Sequence, residues 1–317
     1  MAWLLCALGL VILLLAGDAL VKGAVNVALR LGIPALIVSL TIVAFGTSAP
    51  ELLIAINSVL ENKPDIAMGN VVGSNTANIL LVLGVPALLA TMHTGECETR
   101  KTYLFMMAAS VLFIALAFTG TFGTWQALVL LAALALVLLD QLRDALSHRK
   151  DASESGPEED VEGADPDMPW WQIAVFLVLG MIGLPLGADL LVDNASLIAR
   201  DYGVSETVIG LTLVAVGTSL PELATTVMAA LRRQADVALG NVIGSNMFNL
   251  LAIIGIASLV GPIPVDAQFL RFDLWVMLAA SLALAPFVFL RWNLTRFWGV
   301  VLTGVYAAYI AMVILAG

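Results

Sequence analysis

Residues 40–84 and 211–255 are one passage written twice. Set against each other at an offset of 171, they match without a gap at 22 of 45 positions. "LTIVAFGTSAPEL" lies on "LTLVAVGTSLPEL", and "DIAMGNVVGSNTANIL" lies on "DVALGNVIGSNMFNLL". Asp18 falls on Asp189 in the same register, so the duplication reaches back to the first apolar segment of each half. A chain duplicated over this length folds as two copies of one unit. Composition decides what kind of unit that is. The chain is 61% hydrophobic and only 12% charged, against about 25% charged in an ordinary soluble domain. Stretches such as 170–188 and 297–317 carry no charged residue, and about 20 apolar residues suffice to cross a bilayer core.

The apolar pattern predicts an all-α integral membrane protein with ten transmembrane helices: 2–28, 34–60, 65–91, 102–118 and 125–141, then 170–198, 205–231, 236–260, 272–290 and 297–316. Residues 1–141 form the first five-helix repeat and 170–317 the second. Five crossings per half is an odd number, so with a linker that does not cross the membrane the repeats have inverted topology. That linker, 142–169, is acidic: eight of the chain's 24 acidic residues lie between Asp151 and Asp167 among Ser, Gly and Pro, the composition of a solvated tether. Counting Lys and Arg in the short loops places eleven on the linker side and three (Lys63, Arg200, Arg271) on the other. The positive-inside rule then puts the linker in the cytoplasm and both termini outside. The amino-terminal apolar segment has no Lys or Arg ahead of it, so it is expected to be a retained helix rather than a cleaved leader. Cys6 and Cys97 have no partners at metal-ligand spacing and read as packing residues. The expected surroundings are the lipid bilayer of a prokaryotic cell (inner) membrane. No nucleic acid and no obligate protein partner is implied.

An ionisable side chain near the bilayer centre costs at least about 2.5–3.5 kcal/mol on insertion scales, so a glutamate there is functional by default. Glu51 and Glu222 both lie well inside apolar runs. Ala44, Thr47, Ser48 and Glu51 fall on one helical face. Pro50 has no amide hydrogen to give Gly46, and Pro221 none to give Gly217. Backbone carbonyls around Ala44–Thr47 and Ala215–Thr218 are therefore expected to leave the helical ladder and become available as ligands. The next span of each half adds Asn70, Ser74 and Asn78, mirrored by Asn241, Ser245 and Asn249, with glycines that let helices approach closely. Two carboxylates, hydroxyls, amide oxygens and freed carbonyls make an all-oxygen set suited to a hard cation, Ca²⁺ or Na⁺, and unsuited to zinc, copper or iron. Nothing in the chain provides a phosphate-binding glycine loop, an Asp-rich metal motif or a Ser/His pairing, so an enzyme is not expected.

The words GTSxPE and GNxxGSNxxN, once in each half, resemble the two alpha repeats of the sodium/calcium exchanger family, within the calcium/cation antiporter superfamily. The resemblance implies a secondary active antiporter exchanging Ca²⁺ for Na⁺ by alternating access, with the first and sixth helices sliding across the bundle. It implies no cofactor beyond the transported ions. It implies that Glu51 and Glu222 are the central calcium-binding carboxylates, that Thr47, Ser48, Ser74, Asn78, Thr218, Ser219 and Ser245 are ion ligands, and that Ala44 and Ala215 contribute backbone carbonyls. Asn249 stands where potassium-dependent relatives carry an aspartate, which leaves two carboxylates at the centre. Three sodium ions for one calcium would then carry one net charge per cycle. Gly17, Gly23, Gly183 and Gly187 suit sliding and equally suit ordinary close packing, and Asp18 and Asp189 are expected to make structural capping or gating contacts near helix ends. A proton-coupled calcium/cation antiporter of the same superfamily is the alternative, although such relatives usually have a different word around the glutamate.

Overall fold

The structure, a computed structural model, describes residues 1–152, 165, 167–203 and 215–316. Its helices are α1 (Ala2–Leu31), α2 (Ala35–Thr47), α3 (Ala49–Leu60), α4 (Pro64–Leu89), α5 (Arg100–Ala117) and α6 (Thr124–Ala152) in the first half. The second half has α7 (Trp170–Asp201), a single turn at Ala215–Gly217, α8 (Leu220–Leu231), α9 (Ala235–Val260), α10 (Phe269–Phe289) and α11 (Arg296–Ala316). Among the described residues eight helices are long and apolar enough to cross a membrane, and the bent pair α2–α3 makes a ninth. The expected span 205–231 is described only from residue 215 onward, where α8 is its carboxyl-terminal part. Helix α6 runs past residue 141 to Ala152, into the expected linker. Residues 142–152, "LRDALSHRKDA", contain no Gly or Pro to stop a helix that outlasts its apolar stretch. Residues 153–164 lie outside the described ones.

Helices α4 and α9 form the centre: 78% and 89% of their spanning windows are buried, against 33% for α1 and 22% for α7. Their sequence explains the position. Both are built on small residues, "GNVVGSN" and "GNVIGSN", and without a hydrophobic force between helices in lipid it is close backbone approach that holds a bundle together. Ser39 of α2 donates its Oγ hydrogen to the Val237 carbonyl of α9 at 2.6 Å, a buried bond that fixes the two in register. Around them pack Leu40, Met68, Val71, Val72, Leu239, Val242 and Ile243.

Helices α1 and α7 lie together on the flank and run antiparallel. A first side-chain carbon on Gly9 would sit 2.7 Å from the Leu191 amide nitrogen, one on Gly183 2.8 Å from Ala16 Cβ, and one on Gly23 2.8 Å from the Leu177 side chain. Only a hydrogen fits there. Asp18 and Asp189 do not cap these helices. Each lies in mid-helix, and Asp18 Oδ1 ion-pairs with Arg232 Nε at 2.5 Å, tying α1 to the carboxyl end of α8.

Two loop pairings close the ends of the bundle. Strand β1 (Thr121–Phe122) pairs antiparallel with β2 (Ile263–Pro264), and Met92 bridges Leu294. Helix α5 separates Met92 from Thr121 by its full 18 residues, so the two pairings sit at opposite ends.

Candidate functional site

The duplicated GTSxPE words break their helices in the same way. Ser48 leaves helical geometry at φ −86°, ψ 4°, and Ser219 does so at φ −89°, ψ 3°. Pro50 and Pro221 then sit in the first turns of α3 and α8, where a missing amide hydrogen costs nothing. The axis bends by 42° between α2 and α3. One expectation needs correction. The Ala44 carbonyl is not released from the ladder, because it accepts the Ser48 amide at 3.0 Å and the Thr47 hydroxyl at 3.3 Å. The reason is that Pro50 removes the bond to Gly46, two residues further along, and leaves the preceding turn intact.

Both glutamates are buried at 1% exposure, and they lie within electrostatic reach of each other. Ser48 donates to Glu222 Oε1 at 3.2 Å, across the boundary between the halves, and Ser245 donates to the same oxygen at 3.5 Å. Thr47 lies 3.4 Å from Ser245 Oγ and donates to Asn241 Oδ1 at 3.3 Å. Asn241 is largely occupied, since its Nδ2 also donates to the Glu222 carbonyl and to Thr226 Oγ1. It is a scaffold for α8, not a free ligand. The structure thus brings Thr47, Ser48, Glu222 and Ser245 into one network, and Ala44, Ser74 and Asn78 are buried with them on α2 and α4. Ala215 begins the turn Ala215–Gly217, and Thr218 follows it, half-buried.

The carriers of the chemistry are the oxygens with nothing to bind. Glu51 Oε1 and Oε2, Glu222 Oε2, Asn78 Oδ1, Asn249 Oδ1 and Ser219 Oγ are all buried and without a hydrogen-bond partner among the described residues. Leaving a buried acceptor unsatisfied costs roughly 1–3 kcal/mol, and more for a charged one, so six such oxygens in the duplicated words single these words out as the candidate site. Among the described residues no Lys or Arg forms an ion pair with either glutamate. No group of three or more His, Cys, Asp and Glu capable of holding a metal occurs among them either. The negative charge is limited to two carboxylates, and the remaining oxygens are neutral.

Two asparagines of the duplicated words escaped sequence reasoning. Asn75 and Asn246 hold the amides of Asn249 and Asn78: Asn249 Nδ2 donates to Asn75 Oδ1, and Asn78 Nδ2 donates to Asn246 Oδ1, both at 3.0 Å. Their signal was their own duplication in GSN. At Asn78 and at Phe248 the central helices widen into π turns, Asn78–Val82 and Phe248–Ile253, a local distortion common at functional sites.

Comparison with known proteins agrees with this geometry. A family model described as sodium/calcium exchanger protein matches residues 1–142 and 172–315. The putative antiporter CaxA of Alkalimonas amylolytica is 37% identical over 278 residues, covering 87% of this chain and 86% of the relative. The sodium/calcium exchanger MaX1 of Methanosarcina acetivorans is 34% identical over 346 residues, covering 98% and 97%. Among solved structures, the sodium-calcium exchanger NCX_Mj, soaked with Na⁺ and Sr²⁺, superposes with a TM-score of 0.80 at 29% identity, covering 98% of this chain and 97% of that one. With both duplicated words buried at the centre of a helical membrane bundle and the match extending over nearly the whole chain, this protein belongs to the sodium/calcium exchanger protein family.

Proposed function

We propose that the protein exchanges Ca²⁺ for Na⁺ across a prokaryotic cell membrane, one net positive charge moving with sodium in each cycle. The observation that carries this reading is the set of six buried oxygens supplied by both halves that have no partner among the described residues, with two carboxylates and no Lys or Arg ion-paired to them among those residues. Glu51 and Glu222 hold the divalent ion, with Thr47, Ser48, Ser74, Asn78, Thr218, Ser219, Ser245 and Asn249 completing overlapping calcium and sodium sites. Ala44 and Ala215 contribute backbone carbonyls, that of Ala44 with the cation taking the place of the Thr47 hydroxyl, whose bond to it is long at 3.3 Å. Emptied of cations, two carboxylates in hydrocarbon are costly, so the carrier reorients when loaded and exchange is obligatory. Equilibrium binding tests this. Calcium-45 bound to purified protein should be displaced by millimolar Na⁺ and not by equal K⁺. Displacement by neither ion, or by K⁺ equally, counts against a shared sodium and calcium site.

Ten helices in two inverted five-helix repeats account for the arrangement. The repeat-related helices α1 and α7 run antiparallel. Met92 and Ile263, equivalent at the offset of 171, take part in pairings at opposite ends of the bundle. Both observations support inversion. With the linker cytoplasmic and the termini outside, a cysteine at Thr121 should react with a membrane-impermeant maleimide in intact cells, once Cys6 and Cys97 have been replaced. One at Gly156 should react only after the membrane is opened. The reverse labelling pattern overturns this orientation.

A further inference from the structure

Asn78 and Asn249 each turn a bare amide oxygen into the protein interior, and two backbone carbonyls dictate that they do. The Asn246 carbonyl can only accept, so the Asn75 atom 3.2 Å from it is the donor Nδ2. The other terminal atom of Asn75 is therefore oxygen, and the Asn249 atom 3.0 Å from that oxygen must be Nδ2. Asn249 Oδ1 is left over. The mirror chain runs from the Asn75 carbonyl, which accepts Asn246 Nδ2 at 3.3 Å, through Asn246 Oδ1 to Asn78 Nδ2 at 3.0 Å. It leaves Asn78 Oδ1 bare. All four side chains are at most 1% exposed. Turning any one amide over sets acceptor against acceptor or donor against donor where solvent cannot relieve it.

We infer that Asn75 and Asn246 are positioning residues of the ion site, each acting across the boundary between the halves: Asn75 on Asn249, and Asn246 on Asn78. They aim one neutral oxygen ligand from each half at the cation. They also set the chemistry of the positions they hold. With Nδ2 of Asn75 committed to the Asn246 carbonyl, position 249 faces an acceptor and must donate, which an amide does and an ionised carboxylate does not. The central charge is thereby kept at two. This inference rests on the reading of Asn78 and Asn249 as calcium ligands.

A double-mutant cycle separates aiming from mere packing, because residues that act through one another are non-additive. Calcium affinity is measured by titration calorimetry on the purified full-length chain for wild type, Asn75→Ala, Asn249→Ala and the double variant. The expected result is a roughly tenfold loss for Asn75→Ala alone, equivalent to about 1.4 kcal/mol, and a change of less than about twofold when Asn249 is already alanine. Asn75→Ala combined with Asn78→Ala should be additive, since Asn75 does not hold Asn78. Should Asn75→Ala fail to fold, the mirror cycle of Asn246→Ala and Asn78→Ala asks the same question. Equal losses in both backgrounds, or no loss at all, overturn the inference. A wild-type chain that binds no calcium removes the exchange reading and this inference together, and the first titration tells that outcome from the additive one.

Discussion

Glu51→Gln and Glu222→Gln are each expected to lower calcium affinity by at least about a hundredfold, equivalent to about 2.7 kcal/mol, while the protein stays folded. Calcium selects oxygen ligands and tunes its affinity through their charge, and among the described residues the proposed site contains two carboxylates and no third acidic partner. Glutamine keeps the shape and one oxygen but halves the charge. Folding is expected to survive because these carboxylates support no ion pair among the described residues. Among the described residues no side chain donates to either Glu51 carboxylate oxygen, and the Ser48 and Ser245 hydroxyl bonds to Glu222 Oε1 are long, at 3.2 and 3.5 Å. Removing an uncompensated buried charge relieves a desolvation cost instead of breaking a bond. The ion-free variants should therefore melt no lower than ion-free wild type. Calorimetric titration and thermal melting on the same samples check both parts. Wild-type affinity in either variant refutes the site.

The second large effect is structural and comes from Gly244. A methyl group here would strike the Leu40 carbonyl oxygen of α2 and lie 2.6 Å from Ala44 Cβ. Neither is the far end of a flexible side chain, so α2 itself must move, and overpacking of this kind costs about 1–3 kcal/mol. The movement falls on Ala44 and, one turn later, on Thr47 and Ser48, which contact Ser245 and Glu222. Gly244→Ala is expected to lower the melting temperature and weaken calcium binding at least about tenfold. Unchanged binding would mean that α2 is not held in register by α9.

Much of this site was legible in the sequence, and the reason is duplication. Glu51, Glu222 and the prolines beside them each appear twice in apolar surroundings, and the structure breaks both helices at the matching serine. What pattern could not give was which way an amide points. Asn241 and Asn249 look alike along the stripe, yet one is bonded at both its oxygen and its nitrogen, to Thr47, the Glu222 carbonyl and Thr226, while the other's oxygen has no partner among the described residues. Thr226 left no trace because its counterpart in the first half is Ala55. The Ala44 carbonyl keeps its helical bond because a proline frees only the acceptor four residues back. Helix ends were blurred wherever polar sequence continued a helix, as beyond residue 141 in α6.

The most direct test of exchange is calcium flux in proteoliposomes, with the pH gradient collapsed, no potassium present and the voltage set by another permeant ion. An outward sodium gradient should drive calcium uptake. An interior-positive potential should accelerate it, because sodium leaving carries the net charge and each charge is worth about 2.3 kcal/mol per 100 mV. Uptake that ignores sodium and follows a proton gradient, or that is insensitive to voltage, would contradict the account and assign Glu51 and Glu222 to a proton-coupled or electroneutral cycle.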